Sequence, residues 1–232
     1  MMRIKLLLFV MSIFGFYCRL NAQTQPTTVT DIDGNVYKTV QIGNQLWMAE
    51  NLKTTKFNNG KPIPKDTDPK NWKSLMSGGY CFYENTKSNA TIYGALYNWF
   101  AVRSQKICPL GWHVPRDGEW DTLVINLGGI KRGFMKREEV ETLEIGAKLK
   151  DTVQWLSPNI GATNETMFSA LPGGYINSAG AFDLIKTDGY WWSSTISVTY
   201  GAYCRFLKNI TSSFSRTNLS KTYGMSVRCI KN

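Results

Sequence analysis

Cys108-Pro109-Leu110-Gly111-Trp112-His113-Val114-Pro115-Arg116-Asp117-Gly118-Glu119-Trp120 is the stretch whose reading decides the fold. Cys108-Pro109 and Gly111 break the chain, and Pro115 prepares a helix start. Asp117 and Glu119 fall in the first turn, where acids suit the positive end of a helix. Trp120, Leu123, Val124 and Leu127 follow at spacings of three and four, which gives the helix one buried stripe, and Gly128-Gly129 ends it.

Working outward, Tyr93, Leu96, Tyr97 and Phe100 place a second helix over Tyr93–Val102. Upstream, Tyr80–Tyr83 reads as a short strand and Thr54–Gly79 as a long surface loop. Asp31–Tyr37 puts an Asp-Gly turn between two β-prone runs, and Gly43-Asn44 turns the chain again into Gln45–Met48, so the domain opens on a β-meander. Asp31, Asp33 and Asn35 imitate the start of a calcium loop, but its twelfth position is Ile42 instead of a bidentate Glu. Downstream, Ile130–Ile145 is a charged excursion. Short segments rich in Gly, Ser and aromatics follow at Phe168–Tyr175, Gly189–Thr195, Ala202–Leu207 and Gly224–Ile230. Alternation around Arg205 and Arg228 predicts antiparallel strands with one face wet. Strands, two helices, then a strand-rich and loop-rich second half make the class α+β.

Residues 1–22 read as a signal peptide: Arg3 and Lys5, an apolar run over Leu6–Tyr17, and a small residue, Ala22, for cleavage. The run is shorter than the roughly 20 residues a spanning helix needs, so no membrane span is expected after cleavage. Residues 23–29 form a short tether and 30–232 a single domain. The whole chain has 27 basic and 17 acidic residues; losing Arg3, Lys5 and Arg19 leaves 24 against 17, a net of +7. These charges are scattered, with no basic stripe interleaved with aromatics, so no nucleic-acid partner is expected. Cleavage also removes Cys18 and leaves Cys81, Cys108, Cys204 and Cys229, an even set that implies disulfides in any of three pairings. Their spacing lacks a metal knuckle, and a single histidine rarely makes a transition-metal site, so neither metal nor cofactor is expected.

Six segments, Trp47–Leu52, Tyr93–Trp99, Cys108–Pro115, Ala170–Tyr175, Tyr190–Ser194 and Ser226–Cys229, resemble in order the Fibrobacter succinogenes major paralogous domain, over about Thr30 to Lys231. The resemblance implies a secreted or surface-attached bacterial protein and assigns no reaction. More distantly, Val114–Trp120 is similar to the helix-opening motif of formylglycine-generating-enzyme-like domains, which share the C-type-lectin-like architecture. That layout accommodates a Cys108–Cys229 disulfide, with Cys81–Cys204 as the remaining pair. The enzymes' close cysteine pair near the C-terminus is absent, and so are the sugar-binding motifs of calcium-dependent lectins. Arg116 stands where the family often carries a capping Ser.

His113 is the sole histidine and the sole candidate base of a hydrolase, yet no nucleophile motif stands beside it, so a structural role is expected. Glu50, Asn51, His113, Glu119, Arg205 and Arg228 are expected to form a structural polar network, with Glu50 or Glu119 pairing the arginines. Trp191 and Trp192 are adjacent in a predicted strand, so one indole is expected in the core and the other outside, where Tyr190, Tyr175 and Tyr203 would rim a ligand. These residues point to a non-catalytic module that binds a glycan or a surface protein. The alternatives are an enzyme on a formylglycine-enzyme-like scaffold and a structural surface or pilus-tip subunit.

Overall fold

The opening meander forms as β1 (Thr28–Thr30), β2 (Val36–Ile42) and β3 (Gln45–Met48) in a computed structural model that describes residues 27–66, 68–129, 144–198 and 201–232. The expected signal peptide and most of the charged excursion lie outside the described residues. The outer end of the expected tether does not: Thr28 and Val29 pair with Lys38 and Tyr37 as the edge strand. The Asp31 carboxylate organises the first turn by accepting from the N–H groups of Asp33 and Asn35, the Asn35 amide and the Tyr37 hydroxyl.

The long loop is less superficial than its composition predicts. It contains α1 (Pro69–Ser74), with Asp68 capping and Pro69 at the first position, and it buries Ile63 and Trp72. After β4 (Tyr80–Cys81) and a 3₁₀ turn at Tyr83–Asn85, the chain forms α2 (Lys87–Tyr93), β5 (Leu96–Asn98) and α3 (Trp99–Arg103). The single helix expected over Tyr93–Val102 is therefore interrupted. Gly94 has φ +79°, and a Cβ there would lie 2.8 Å from the Leu52 carbonyl oxygen, so the chain turns out of α2. Asn98 then caps α3 by accepting from the Ala101 N–H.

β6 (Trp112–His113) leads into α4 (Asp117–Asn126), which buries Trp120, Leu123 and Val124 as its stripe predicts. Next come α5 (Ile145–Leu149), β7 (Gly173–Ile176), β8 (Phe182–Ile185), β9 (Asp188–Val198), β10 (Gly201–Lys208), β11 (Ser215–Ser220), β12 (Gly224–Met225) and β13 (Ile230–Lys231). The class is α+β with a strand-rich second half, but the described residues hold five short α-helices where two were expected.

One sheet runs β1-β2-β3-β13-β6, so the last strand returns between the opening meander and the turn ahead of α4. Ile230 faces Trp47 on one side and His113 on the other. The Cys108–Cys229 disulfide, with Cα atoms 5.9 Å apart, joins the same two regions across 121 residues. The second sheet runs β11-β10-β9-β7-β12-β5-β4, with β8 on β7.

Cys81 and Cys204 are free thiols, which corrects the expected second disulfide. Cys81 lies on β4 and Cys204 on β10, with four strands between them. Five spacings of about 4.8 Å put them roughly 24 Å apart across the sheet, several times the separation a disulfide bridges. They also belong to different apolar clusters: Cys204 packs with Tyr97, Trp192 and Met225, Cys81 with Trp72, Leu96 and Ile176.

Candidate functional site

His113 sits on the two-residue strand β6, at the edge of its sheet. Its Nε2 lies 2.9 Å and 3.0 Å from the two carboxylate oxygens of Glu119, and its Nδ1 lies 2.7 Å from Asn232 Oδ1. The spacing that opens α4 brings Glu119 there. One turn into the helix, Glu119 Oε2 also accepts from the Arg116 N–H at 2.7 Å, so the glutamate caps the helix while it holds the imidazole. Thr195 Oγ1 accepts from the Asp117 N–H at 3.0 Å, which ties the start of α4 to β9. These two contacts compensate the missing capping Ser at Arg116.

Around this cluster opens a groove of about 660 Å³. Trp112, His113, Val114 and Arg116 form one wall. Val102 and Gln105 face it from the end of α3, and Ser194, Thr195 and Asn232 complete the lining. No aspartate or glutamate lines it, and the Arg116 guanidinium makes no hydrogen bond or ion pair among the described residues. Trp112 is half-buried, so part of its indole faces solvent.

Two hydroxyls beside a histidine raise the question of a hydrolase. A serine nucleophile needs one imidazole nitrogen facing it while the other faces the acid. Here one nitrogen faces Glu119 and the other faces Asn232. The Ser194 hydroxyl instead donates to the Pro115 carbonyl at 3.4 Å. Cysteine chemistry fares no better. Burial raises the Cys81 and Cys204 thiols far above their ordinary range, which leaves neither as a ready thiolate. It is burial, not pairing, that silences them.

The expected indole patch is overturned. Trp191 and Trp192 do point to opposite faces of β9, but both are fully buried. β9 lies inside its sheet with an apolar cluster on each side: Trp192 packs with Tyr97, Cys204 and Met225, and Trp191 with Trp47, Trp120 and Phe168. Each indole N–H is satisfied internally, Trp191 by Asn51 Oδ1 at 2.9 Å and Trp192 by the Tyr97 carbonyl at 2.8 Å. The tyrosines are divided as well. Tyr175 meets Tyr190 and Tyr223 edge-on, with centroids 5.2 Å and 5.4 Å away, and Tyr190 stacks on Phe206. Tyr203 lies on the opposite face of β10 from Phe206, with the Arg216 guanidinium 3.8 Å over its ring.

The residues expected to form one polar network fall into separate clusters with other partners. Arg205 and Arg228 are fully buried, so the wet strand face expected around them is absent; Arg205 lies on β10, and Arg228 lies between β12 and β13 and not on a strand. Arg205 pairs with Asp117 and Asp121, one turn apart on α4, at 2.9 Å and 2.7 Å, and Arg216 reaches the other oxygen of Asp117 at 3.0 Å. Among the described residues Arg228 has no carboxylate in contact. Its Nε donates to Asn51 Oδ1 at 3.0 Å, and its terminal nitrogens donate to the Phe168 and Ser169 carbonyls. Burial pulls the Arg228 guanidinium down to about 9 against the nearby charges of Glu50 and Asp151. Asn51 is thus the hub, since its Nδ2 also donates to the Tyr93 carbonyl and Ser226 Oγ. Glu50 stays outside, taking the Lys38 N–H and the Lys53 ammonium.

Sequence reasoning missed Trp112, Ser194, Thr195, Gln105 and Asn232 as groove residues. Trp112 carried a signal only as an aromatic within the turn Cys108–Pro115. Asn232 carried none, because it reaches His113 only through the return of β13.

Among the described residues no group of three or more His, Cys, Asp or Glu side chains is placed to hold a metal ion, and no helix is long and apolar enough to cross a membrane. No curated protein and no solved structure matches the chain. The profile of the Fibrobacter succinogenes major domain matches residues 40–231, from the middle of β2 to β13. That stretch holds the second sheet, most of the first, the disulfide and nearly all of the groove; the chain belongs to the Fibrobacter succinogenes major domain family.

Proposed function

We propose that the chain is an exported, non-catalytic binding module of the bacterial cell surface that engages a glycan or a protein through the groove beside His113. The observation that carries this reading is the groove itself. Polar groups able to donate and accept converge on about 660 Å³ next to a half-buried indole, while the one imidazole has both nitrogens engaged. A recess of this size, with a few placed polar groups, suits recognition of a ligand of several rings. Export is supported by the leader-like N-terminal sequence and by the Cys108–Cys229 disulfide, a bond that persists in oxidising compartments. A C-type-lectin-like architecture is the finer fold reading. Its support is the last strand, which returns into the sheet of the first strands and is stitched by that disulfide to the turn ahead of α4.

A glycan array combined with affinity capture on surface extracts tests the proposal. Saturable binding that weakens in Trp112→Phe and Arg116→Gln supports it. Turnover of an ester, peptide or glycoside that disappears in Ser194→Ala or His113→Gln rejects it in favour of the enzyme reading.

A further inference from the structure

We infer that the groove selects an acidic sugar, with Arg116 receiving the carboxylate of a uronic acid and Trp112 supporting the ring. The inference rests on the binding-module reading and names its ligand class. Arg116 is the fully charged side chain of the lining, and its guanidinium spends no hydrogen bond on the protein among the described residues. Among the described residues no aspartate or glutamate side chain lines the groove to neutralise it, and Glu119 on α4 is taken by His113 and the Arg116 N–H. A guanidinium left free beside a recess is a fork matched to a carboxylate, which it binds through two parallel hydrogen bonds. The other groups fit a sugar. With its proton on the Pro115 carbonyl, the Ser194 hydroxyl accepts; with its oxygen on the Asp117 N–H, the Thr195 hydroxyl donates; and the Gln105 amide does both, which suits vicinal sugar hydroxyls. The half-buried Trp112 beside them presents a flat apolar surface to the ring. An acidic peptide is a poorer match. β6 is an edge strand but only two residues long, so it offers a peptide backbone almost no ladder.

The mature protein is titrated with three probes: trigalacturonate, its fully methyl-esterified form, and a glutamate-rich octapeptide. Calorimetry gives affinity, and the Trp112 indole resonance in ¹H–¹⁵N spectra gives location. The inference expects trigalacturonate to bind and shift Trp112. The methyl ester is expected to bind about tenfold or more weakly, and Arg116→Gln to remove that difference without changing Tm. Equal affinity for acid and ester overturns the acidic selection and leaves a sugar-binding groove. Preference for the peptide overturns the sugar class and leaves a binding module. No shift of Trp112 with any probe, while surface glycans are still captured, overturns the groove as the site.

Discussion

At Asp33, burial works against the charge, yet the carboxyl titrates at about 2. The Thr55 N–H, the Lys56 ammonium and the hydroxyls of Thr55 and Thr54 together outweigh the loss of hydration. The folded chain therefore keeps Asp33 ionised where the unfolded chain, near 3.8, has begun to take up a proton. The stabilisation is fully present above about pH 4 and is lost as pH falls towards 2. Discounted for solvent screening, it amounts to about 1 kcal/mol. Asp33→Asn should lower the unfolding free energy at pH 7 by about that amount and flatten its decline between pH 4 and 2. Parallel pH profiles for the two proteins, measured by urea unfolding, would refute the assignment. Lys150 shows the opposite balance on a cation. It is fully buried, burial pulls its ammonium down to about 8, and the carbonyls of Ile160, Lys208 and Thr211 receive its three protons. Lys150→Met leaves those oxygens without a donor and should cost about 3 kcal/mol in the same unfolding experiment; no loss would show that the carbonyls repack.

At the scale of elements, β9 decides what the paired tryptophans do. Parity along a strand was legible from Trp191-Trp192 alone, and the structure keeps it. What lay beyond the sequence was the number of layers. A strand with a cluster on each face buries both parities, and the second cluster is supplied by α4 and the turn around Phe168. The same limit hid the partners of Arg205, because Asp117 and Asp121 meet it only when α4 packs across β10. Trp191→Ala and Trp192→Ala should each destabilise the fold by about 3–5 kcal/mol. Neither should change the affinity of the folded protein for a groove ligand. A variant that loses binding at unchanged Tm would place an indole in the site after all. The helix over Tyr93–Val102 failed for a local reason. Its apolar spacing was helical, but Gly94 approaches the Leu52 carbonyl too closely to carry a Cβ, and Leu96–Asn98 was needed between β4 and β12.

For the whole molecule, order along the chain foretold the α+β class. It did not foretell the state of Cys81 and Cys204, which depends on strand order in a sheet whose neighbours are not consecutive. The one disulfide closes a loop with a sequence separation of 121 residues. On the chain-entropy account such a closure contributes roughly 4–5 kcal/mol. Cys108→Ala with Cys229→Ala should then lower Tm by about 10–15 °C and loosen the groove, because β6 and β13 meet beside that bond. A variant with unchanged Tm would mean that pairing of β13 with β3 and β6 suffices. The most direct test of an exported, once-stitched module is peptide mapping of the natively produced protein under non-reducing conditions. The account predicts a chain without residues 1–22, a cross-linked peptide pair holding Cys108 and Cys229, and Cys81 and Cys204 both alkylated after denaturation. Free thiols at 108 and 229, or a Cys81–Cys204 bridge, would contradict it.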